Sequence, residues 1–427
     1  MRIPLEQHTL PNGLRLVLAE DHATPVVAVN LWYHVGSANE RVGRTGFAHL
    51  FEHMLFQGSA NVGANEHFEL VQRAGGTLNG STWLDRTNYF ETVPSHQLEL
   101  ALWLEADRMA RLLPAMTQEK LDTQRDVVKN ERRWSVDNQP YGTWWERLPA
   151  LCFPPAHPFH HSLIGSMEDL SAASLEDVAE FFRTYYTPDN AVLTICGDFD
   201  PHGAHAMVAR HFGPIPRGAG RPPLPPMALP PTFGRWLRDE VEDAVVAPRL
   251  FLAFRIPPAG APDWYAASLL GAVLGTGEGS RLQRALVREQ QLASDATAFT
   301  FDLSKGSDLL VCDVTARPGV PAARLEAAVV AEIDRLRTAG VPAADRERAL
   351  ALLETSWVSG LQTVGARADK LSQFATYRGD PALVNDEHAR HAAVTVAALE
   401  ACAGALLGPD NRASLLYVPR PAASEAA

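Results

Sequence analysis

The sequence predicts an α+β fold made of two homologous α/β-sandwich domains in tandem. Short apolar, β-branched runs alternate with amphipathic helical patterns, and a proline-rich stretch interrupts the chain near its middle. The residues after that stretch repeat the pattern before it. At 427 residues the chain is also too long for one hydrophobic core. We therefore expect an N-terminal domain over 1–213, a linker over 214–232 and a C-terminal domain over 233–427.

The composition excludes several classes of protein. Hydrophobic residues make up 46% and charged residues 21% of the chain, which is typical of soluble globular proteins. The sequence contains no uncharged apolar run of about 18 residues, so we expect no membrane span. A formal net charge of −12 argues against nucleic acid as a partner.

Residues 1–20 contain prolines and glutamates where a signal peptide would have an apolar core. We therefore expect no signal peptide in the chain as given, and a cytoplasmic location, or a periplasmic one if a signal has been removed. The four cysteines lie far apart and form no C-x-x-C pair: Cys152, Cys196, Cys312 and Cys402. They are expected to be small buried hydrophobic residues and not a disulfide or zinc framework.

The N-terminal part begins with two strand-like runs, 14–18 and 26–34, and a polar glycine-rich loop then leads into a helix. Another amphipathic helix is predicted over 65–74. A strand opening at Gly75 is expected to continue to Val93. Its small residues would let a second backbone approach closely, as at an edge strand that accepts an extended peptide, and a β-bulge is the alternative.

The segment Phe47–Leu55 carries the chemistry. At about 100° per residue, His49 and His53 lie one helical turn apart on one face, with Glu52 beside them. The other residues of this helix are mostly apolar, so it is expected to be buried on nearly all sides. Its polar corner therefore needs a partner, and a bound metal is the simplest one.

This H-x-x-E-H order is the inverted form of the zincin signature H-E-x-x-H. Two neutral imidazoles at this spacing can reach one divalent ion, and Zn²⁺ is the usual ion of a His/His/carboxylate set with an open fourth position. Glu52 would then be the general base that takes a proton from a zinc-bound water. The pattern alone also fits two hydrogen-bonded core histidines.

The third ligand is expected on a helix that starts near Thr117 and runs past Trp134, after a helix over 96–113. Glu131 follows Gln124 and Val128 on the same face of that helix, so a carboxylate shares a face with apolar residues and needs a cation. We therefore predict Glu131 as a metal ligand. The alternative is that it belongs to the solvated charge run 129–133.

A second histidine group, His157, His160 and His161, lies among prolines in a loop without a nearby carboxylate at ligand spacing. We expect it to pack a domain surface. A helix over 174–186 and a buried strand over 191–197 follow. Residues 214–232 contain eight prolines and are expected to form a semi-rigid spacer.

Beyond this spacer the pattern returns with an offset of about 216 to 227 residues. In the second copy the positions of His49, Glu52 and His53 are occupied by Ser268, Gly271 and Ala272. That copy cannot hold a metal in the same way. Glu354, which corresponds to Glu131, is therefore interpreted as structural.

Together these motifs resemble the pitrilysin/insulinase family of inverted-zincin metallopeptidases. The resemblance rests on the H-x-x-E-H motif, the glycine-rich strand and the segments 125–133 and 165–169, and is strongest from about 40 to 200. The chain looks most like the smaller bacterial members and the mitochondrial processing peptidase subunits. The resemblance implies two homologous domains that form half of a clamshell around an unfolded peptide.

It also implies that His49, His53 and Glu131 hold zinc and that Glu52 is the base. The edge formed by Asn79, Gly80, Ser81 and Thr82 would pair with the substrate backbone. Gln124 stands where many relatives carry a glutamate that supports the ligands. This departure affects fine tuning of the site and not zinc binding itself.

A second departure concerns an Arg/Tyr pair that active relatives supply from the non-zinc half. Val287 and Ser294 occupy those positions here, and Arg288 is out of register. Losing one oxyanion donor typically costs ~10²–10³ in rate. We therefore hypothesise that a homologous partner supplies the pair, which makes this chain the zinc-bearing subunit of a heterodimer.

Two alternatives remain. One is a structural or assembly protein of the same fold without the chemistry, against which the intact His49, Glu52, His53 and Glu131 argue. The other is a self-sufficient homodimeric peptidase that stabilises the oxyanion with Arg281, Arg284 or Arg288.

Overall fold

The computed structural model describes residues 2–220 and 222–420. In chain order the first elements are β1 (Glu6–Thr9), β2 (Arg15–Glu20), β3 (Val26–Tyr33), α1 (Phe47–Met54), α2 (Glu66–Arg73), β4 (Thr77–Thr82), β5 (Thr87–Pro94), α3 (Leu98–Arg111), α4 (Gln118–Arg132), α5 (Trp144–Cys152), α6 (Met167–Ala172), α7 (Leu175–Tyr185), β6 (Ala191–Gly197) and α8 (Pro201–Phe212). The later ones are β7 (Leu237–Asp243), β8 (Arg249–Ile256), α9 (Trp264–Gly275), β9 (Ala293–Thr300), β10 (Asp308–Ala316), α10 (Ala322–Ala339), α11 (Ala343–Ser359), α12 (Val364–Arg378), α13 (Glu387–Ala392), α14 (Val396–Leu406) and β11 (Ala413–Pro419).

Two sheets organise these elements within the described residues. The first has six strands in the order β1-β2-β6-β3-β5-β4, and the second has five in the order β7-β11-β8-β10-β9. Each combines antiparallel pairs with one parallel pair, β2 with β6 and β11 with β7. The predicted α+β class with two domains is therefore confirmed.

The chain forms two compact units, and each contains one sheet. Within the described residues, one unit comprises the chain up to Arg133, 161–225 and 358–386, and the other comprises 134–160, 226–357 and the chain from Glu387 to Arg420. The predicted domains, 1–213 and 233–427, are continuous. In the structure each unit also includes one segment from the other predicted domain. Helix α5 belongs to the second unit and α12 to the first. The described part of 214–232 contains no helix or strand, because proline cannot donate to a ladder and fixes its own φ.

The exchanged helices are held by contacts that sequence periodicity does not reveal. In the first unit, Asp369 Oδ1 on α12 accepts hydrogen bonds from Asn30 Nδ2 and Trp32 Nε1 on β3, at 3.3 and 3.0 Å. In the second unit, the Trp144 ring on α5 stacks on Phe251 of β8 with 4.7 Å between centroids. These pairs are more than 100 residues apart in sequence, so no local pattern encodes them.

Most predicted elements are present. The expected helices over 65–74, 96–113 and 174–186 appear as α2, α3 and α7, and the expected strand over 191–197 is β6. The helix expected from Thr117 past Trp134 begins at Gln118, is capped by Thr117 Oγ1, and continues as a π-helical turn over Arg133–Asp137.

The single strand expected from Gly75 to Val93 is wrong. The chain turns over 83–86, where Trp83 N donates to Arg86 O at 2.8 Å, and β4 and β5 pair as an antiparallel hairpin. The turn lacks a glycine or proline signal. It is fixed by tertiary contacts, such as that between Ala38 N and Leu84 O at 2.6 Å.

The β4–β5 register runs without a shift from Thr77 opposite Thr92 to Thr82 opposite Thr87, so the bulge alternative is also wrong. Strand β4 lies at the edge of its sheet, as predicted.

Two further expectations concern the rest of the chain. All four cysteines are buried and unpaired, as predicted. Among the described helices, none combines the length and apolar character that crossing a bilayer requires.

Candidate metal centre

Helix α1 presents its two histidines side by side. Gly46 precedes the helix with φ of +84°, a backbone conformation that favours glycine. One turn apart on α1, the rings of His49 and His53 lie with centroids 4.8 Å apart and planes at 81°. Their Nε2 atoms lie 3.6 and 3.3 Å from the two carboxylate oxygens of Glu131 on α4. The structure thus brings together three residues from two helices, called here the open cluster.

The open cluster fits a zinc ion. Its nitrogen and oxygen ligand atoms all lie within 4.8 Å of one another. Tetrahedral coordination with bonds of ~2.0–2.1 Å places ligand atoms ~3.3–3.4 Å apart, which is close to the observed separations of 3.3 and 3.6 Å. The side chains of His49, His53 and Glu131 are 13%, 23% and 38% exposed, so solvent reaches the centre.

The protonation states also suit a metal. Burial lowers the pKa of His49 to about 4, although Glu131 opposes this shift, so its imidazole is neutral at pH 7. Burial is the largest single effect on His53 and acts to lower its pKa, but the hydrogen bond to Glu131 and the charges of Glu131 and Glu52 together outweigh burial and raise the pKa. The hydrogen bond from His53 lowers the pKa of Glu131. A metal ligates only the neutral imidazole, so any proton on His53 would leave when an ion binds.

Gln124, the predicted departure on α4, is buried and hydrogen-bonded to His53. A glutamine can accept this bond through its side-chain oxygen, so it still orients the imidazole but adds no negative charge.

Glu52 faces strand β4. Its Oε2 accepts a hydrogen bond from Thr82 Oγ1 at 2.5 Å. Burial raises the pKa of Glu52, against the opposing effect of that bond, which brings the carboxylate closer to the range of a working base. A Cβ on Gly80 would lie only 3.2 Å from Cγ and Oε1 of Glu52, so glycine gives the carboxylate its space.

The other predicted substrate-binding residues lie along the same edge. Asn79 Oδ1 accepts the backbone N–H of Gly80 at 2.9 Å, and Ser81 Oγ donates to Asn88 Oδ1 at 2.7 Å. Sequence reasoning missed Arg86, whose Nη1 donates to the backbone oxygen of Ser81 at 2.8 Å. Its place in the turn between β4 and β5 would have indicated it, had the hairpin been predicted.

The histidine group around residue 160 is not one cluster. His157 is buried and stacks on Phe153 with centroids 4.7 Å apart, and His160 Nδ1 lies 2.7 Å from the Phe153 carbonyl oxygen. His161 belongs to the first unit, where its Nε2 lies 3.0 Å from a carboxylate oxygen of Glu40.

Sequence reasoning also missed a second group with ligand-like side chains, called here the buried cluster: His67, Glu91 and Glu105. His67 Nε2 lies 2.5 Å from Glu91 Oε1, and Arg108 donates through two nitrogens to both oxygens of Glu105. The Glu-x-x-Arg spacing among the apolar residues of helix α3 that face the core is the signal that could have indicated it.

The second unit has no equivalent of the open cluster among its described residues. Ser268 Oγ lies 3.4 Å from His391 Nε2, and a Cβ on Gly271 would lie 2.7 Å from Leu310 Cδ1. Glu354 Oε1 lies 3.7 Å from His388 Nε2, and its structural role stays a prediction.

The positions aligned with the Arg/Tyr pair are also in the second unit. Val287 lies in a π-helical segment, Gln283–Glu289, and Ser294 on β9 donates to Thr315 O at 3.2 Å. All three alternative arginines have partners in ion pairs, and Arg284 lies 3.6 Å from Asp345. Arg281 is buried and 2.8 Å from Glu332, and Arg288 is exposed and 2.6 Å from Glu278.

Two family descriptions match this chain. "Insulinase (Peptidase family M16)" matches residues 15–149, and "Peptidase M16 inactive domain" matches residues 172–353. The first match includes the open cluster and Glu52. The second includes the helix in which Ser268, Gly271 and Ala272 replace the motif residues.

Individual relatives agree with these matches. The chain is similar to the zinc protease PqqE of Helicobacter pylori, with 31% identity over 374 residues that cover 87% of this chain and 83% of the relative. It is 24% identical over 309 residues to the mitochondrial-processing peptidase subunit beta of Blastocladiella emersonii, covering 70% and 64% of the two chains. The crystal structure of a protease from Helicobacter pylori superposes with a TM-score of 0.91 and 27% identity, covering 98% of this chain and all of that one.

Proposed function

The chain belongs to peptidase family M16, and from this premise we propose that it is the zinc-bearing subunit of a metalloendopeptidase that hydrolyses unfolded or short peptides. One observation carries the proposal. Two imidazole nitrogens and a carboxylate converge at 3.3 and 3.6 Å, with the Glu52 carboxylate one turn away against an edge strand. The similarity to proteins named zinc proteases supports zinc as the ion.

His49, His53 and Glu131 would hold the ion. Zinc supplies Lewis acidity, which acidifies water and polarises a peptide carbonyl. Glu52 accepts the proton of the attacking water and passes it to the nitrogen of the leaving amine. The hydrogen bond from Thr82 orients the Glu52 carboxylate and leaves its Oε1 on the side of Gly80.

The substrate would add to the β4 edge as an extended strand. An edge strand offers unpaired backbone groups, and the absence of a side chain at Gly80 lets a peptide backbone approach Glu52. Asn79, Gly80, Ser81 and Thr82 are therefore proposed as the substrate-binding residues. Recognition through the backbone favours peptides that lack stable structure of their own.

A homologous second subunit would complete the oxyanion site. Val287 cannot donate a side-chain hydrogen bond, and the Ser294 hydroxyl donates to the backbone. Similarity to a protein named as a subunit of a processing peptidase supports a heterodimer. A homodimer is the alternative, with exposed Arg288 as the donor once it leaves Glu278.

The proposal is tested by metal analysis and cleavage of an unstructured peptide. The wild-type chain should bind one zinc ion and cleave poorly alone, and a partner with the Arg/Tyr pair should raise the rate by ~10²–10³. The Glu52→Gln variant should keep zinc and lose hydrolysis, because an amide cannot accept the proton.

Glu354→Gln is the matched control, since it changes a carboxylate on the corresponding helix of the second unit and should alter neither property. Full activity of the isolated chain, unchanged by any partner, would contradict the heterodimer. Hydrolysis by Glu52→Gln would contradict the role of the base.

A further inference from the structure

The loop and short helix over 161–169 contact both helices that carry the open cluster. This segment, called here the bracket, begins 30 residues after Glu131 and more than 100 after His53. At one end Asp169 Oδ2 accepts from Thr45 N at 2.9 Å and from Thr45 Oγ1 at 2.5 Å, and Ser166 N donates to Thr45 Oγ1 at 3.1 Å. Thr45 immediately precedes Gly46, the residue just before α1.

The bracket crosses the start of α1 with no space between the two backbones. A Cβ on Gly46 would lie 2.5 Å from Ile164 O, and one on Gly165 would lie 2.4 Å from Thr45 O. Both glycines also have positive φ, +84° and +78°. Glycine is therefore required at both positions, and the contact fixes where α1 begins relative to the bracket.

The same bracket holds the end of α4. Arg132 Nη1 donates to Gly165 O at 2.8 Å. Arg132 follows Glu131 directly, so the bracket is tied to α4 one residue from the third ligand. The carbonyl that receives this bond belongs to the glycine that abuts Gly46. One peptide unit thus contacts both ligand-bearing helices.

A buried carboxylate completes the attachment. The side chain of Glu40 is fully buried, and its two oxygens accept from Gly46 N at 2.9 Å and Ala48 N at 2.8 Å. Gly46 has no side chain to cap α1, so Glu40 satisfies first-turn amides that would otherwise lack partners. His161 Nε2, at the start of the bracket, lies 3.0 Å from Glu40.

We propose that Glu40, Thr45, Gly165 and Asp169 are positioning residues of the metal centre, which set the separation between the imidazoles of α1 and the carboxylate of α4. This inference rests on the proposed function, because it concerns the same ion. Helix α1 has only eight residues and is too short to be stable alone, so its position depends on its attachments. Zinc tolerates ligand distances within ~0.2 Å, so a small shift of α1 against α4 weakens binding.

The test measures the zinc dissociation constant by competition with a chelator, the visible spectrum of the Co²⁺-loaded protein and the melting temperature of the metal-free protein. Thr45→Val removes one hydroxyl, and Glu40→Gln removes one acceptor of the α1 amides. Each should weaken zinc binding about 10-fold or more, as loss of a supporting contact typically does, and change the Co²⁺ spectrum.

Asp200→Ala is the matched control. Asp200 caps α8, a helix without metal ligands, through a bond from Gly203 N at 2.7 Å. Its loss should lower the melting temperature and leave zinc affinity unchanged.

Unchanged affinity and spectrum in both test variants would overturn the positioning role and leave the bracket purely structural. If Glu40→Gln does not fold, Thr45→Val decides alone. A wild-type chain that holds no zinc would overturn this inference and the proposed function together. A wild-type chain that binds zinc but cleaves no peptide, with or without a partner, would overturn only the proposed function, since the affinities still decide the positioning role.

Discussion

The open and buried clusters contain the same residue types in the same unit, yet their surroundings differ. Each combines histidine and glutamate with ligand atoms within 4.8 Å. The buried cluster already has a cation, because Arg108 donates to both oxygens of Glu105 and lies 4.0 Å from the centre of the Tyr89 ring. Its members are also nearly inaccessible, with Glu91 and Glu105 each 1% exposed.

The buried cluster is therefore closed to an incoming ion, and the Arg108 guanidinium already supplies the positive charge that a metal would provide. The open cluster is partly exposed, and burial keeps the His49 imidazole neutral at pH 7. Ligand residue types alone therefore do not distinguish a metal site from a structural network. Solvent access and the counter-ion supplied by the protein distinguish them.

The largest expected effect separates the clusters by metal content. His53→Ala removes a ligand from the open cluster, and we expect loss of stoichiometric zinc and of peptide hydrolysis. His67→Ala makes the same change in the buried cluster and should leave zinc near one ion per chain. Metal analysis after dialysis measures both. Equal zinc loss in the two variants would mean that the buried cluster also binds the ion.

The second largest expected effect is the loss of stability on removing Arg108, the cation of the buried cluster. Arg108→Met leaves the buried Glu105 carboxylate without its counter-ion, and above pH 7, where Glu105 is charged, breaking a buried pair in this way typically costs about 3–5 kcal/mol. Denaturant unfolding of the metal-free protein measures the loss. The control is Arg111→Met on the same helix, whose side chain is 61% exposed and whose removal should cost less than about 1 kcal/mol. Similar losses in the two variants would contradict the role of Arg108.

The smallest expected effect is on how the free energy of unfolding depends on pH. Burial raises the pKa of Glu91 and of Glu105 to about 7, against a usual value of 4.5, and lowers the pKa of His67 to about 3. The folded state therefore binds more protons on these carboxyls than the unfolded state does, and their contribution to stability is lost as pH rises through about 7. His67 is mostly neutral in both states above pH 6.5 and adds little there.

We therefore expect the contribution of these groups to the free energy of unfolding of the metal-free protein to fall as pH rises from 4.5 to about 7, partly offset by His67 below pH 6.5, and to level off above that. Glu91→Gln should flatten this dependence, because the amide stays neutral. Denaturant titrations at several pH values compare the two proteins. An identical slope in the variant would show that the buried carboxyls are not its source.

The local part of the fold and site was predictable. Helix α1 and its histidine spacing follow from apolar residues at helical intervals, since neighbours in sequence determine which side chains share a helix face. The lack of ligands in the second copy is likewise visible from residue identity alone. The single strand over 75–93 failed because its turn has no local signal and is held by residues distant in sequence.

The sequence by itself determined the two α+β domains, the pairing of His49 with His53 and the placement of Glu52 beside them. Only the tertiary structure decided the distance of Glu131 from the imidazoles, the bond from Thr82 to Glu52, the bracket between α1 and α4, and the exchange of α5 and α12. The physical reason is the separation along the chain over which each interaction acts. Helical and strand periodicity acts over a few residues, whereas these contacts join residues 30 or more apart, and their geometry depends on how whole elements pack.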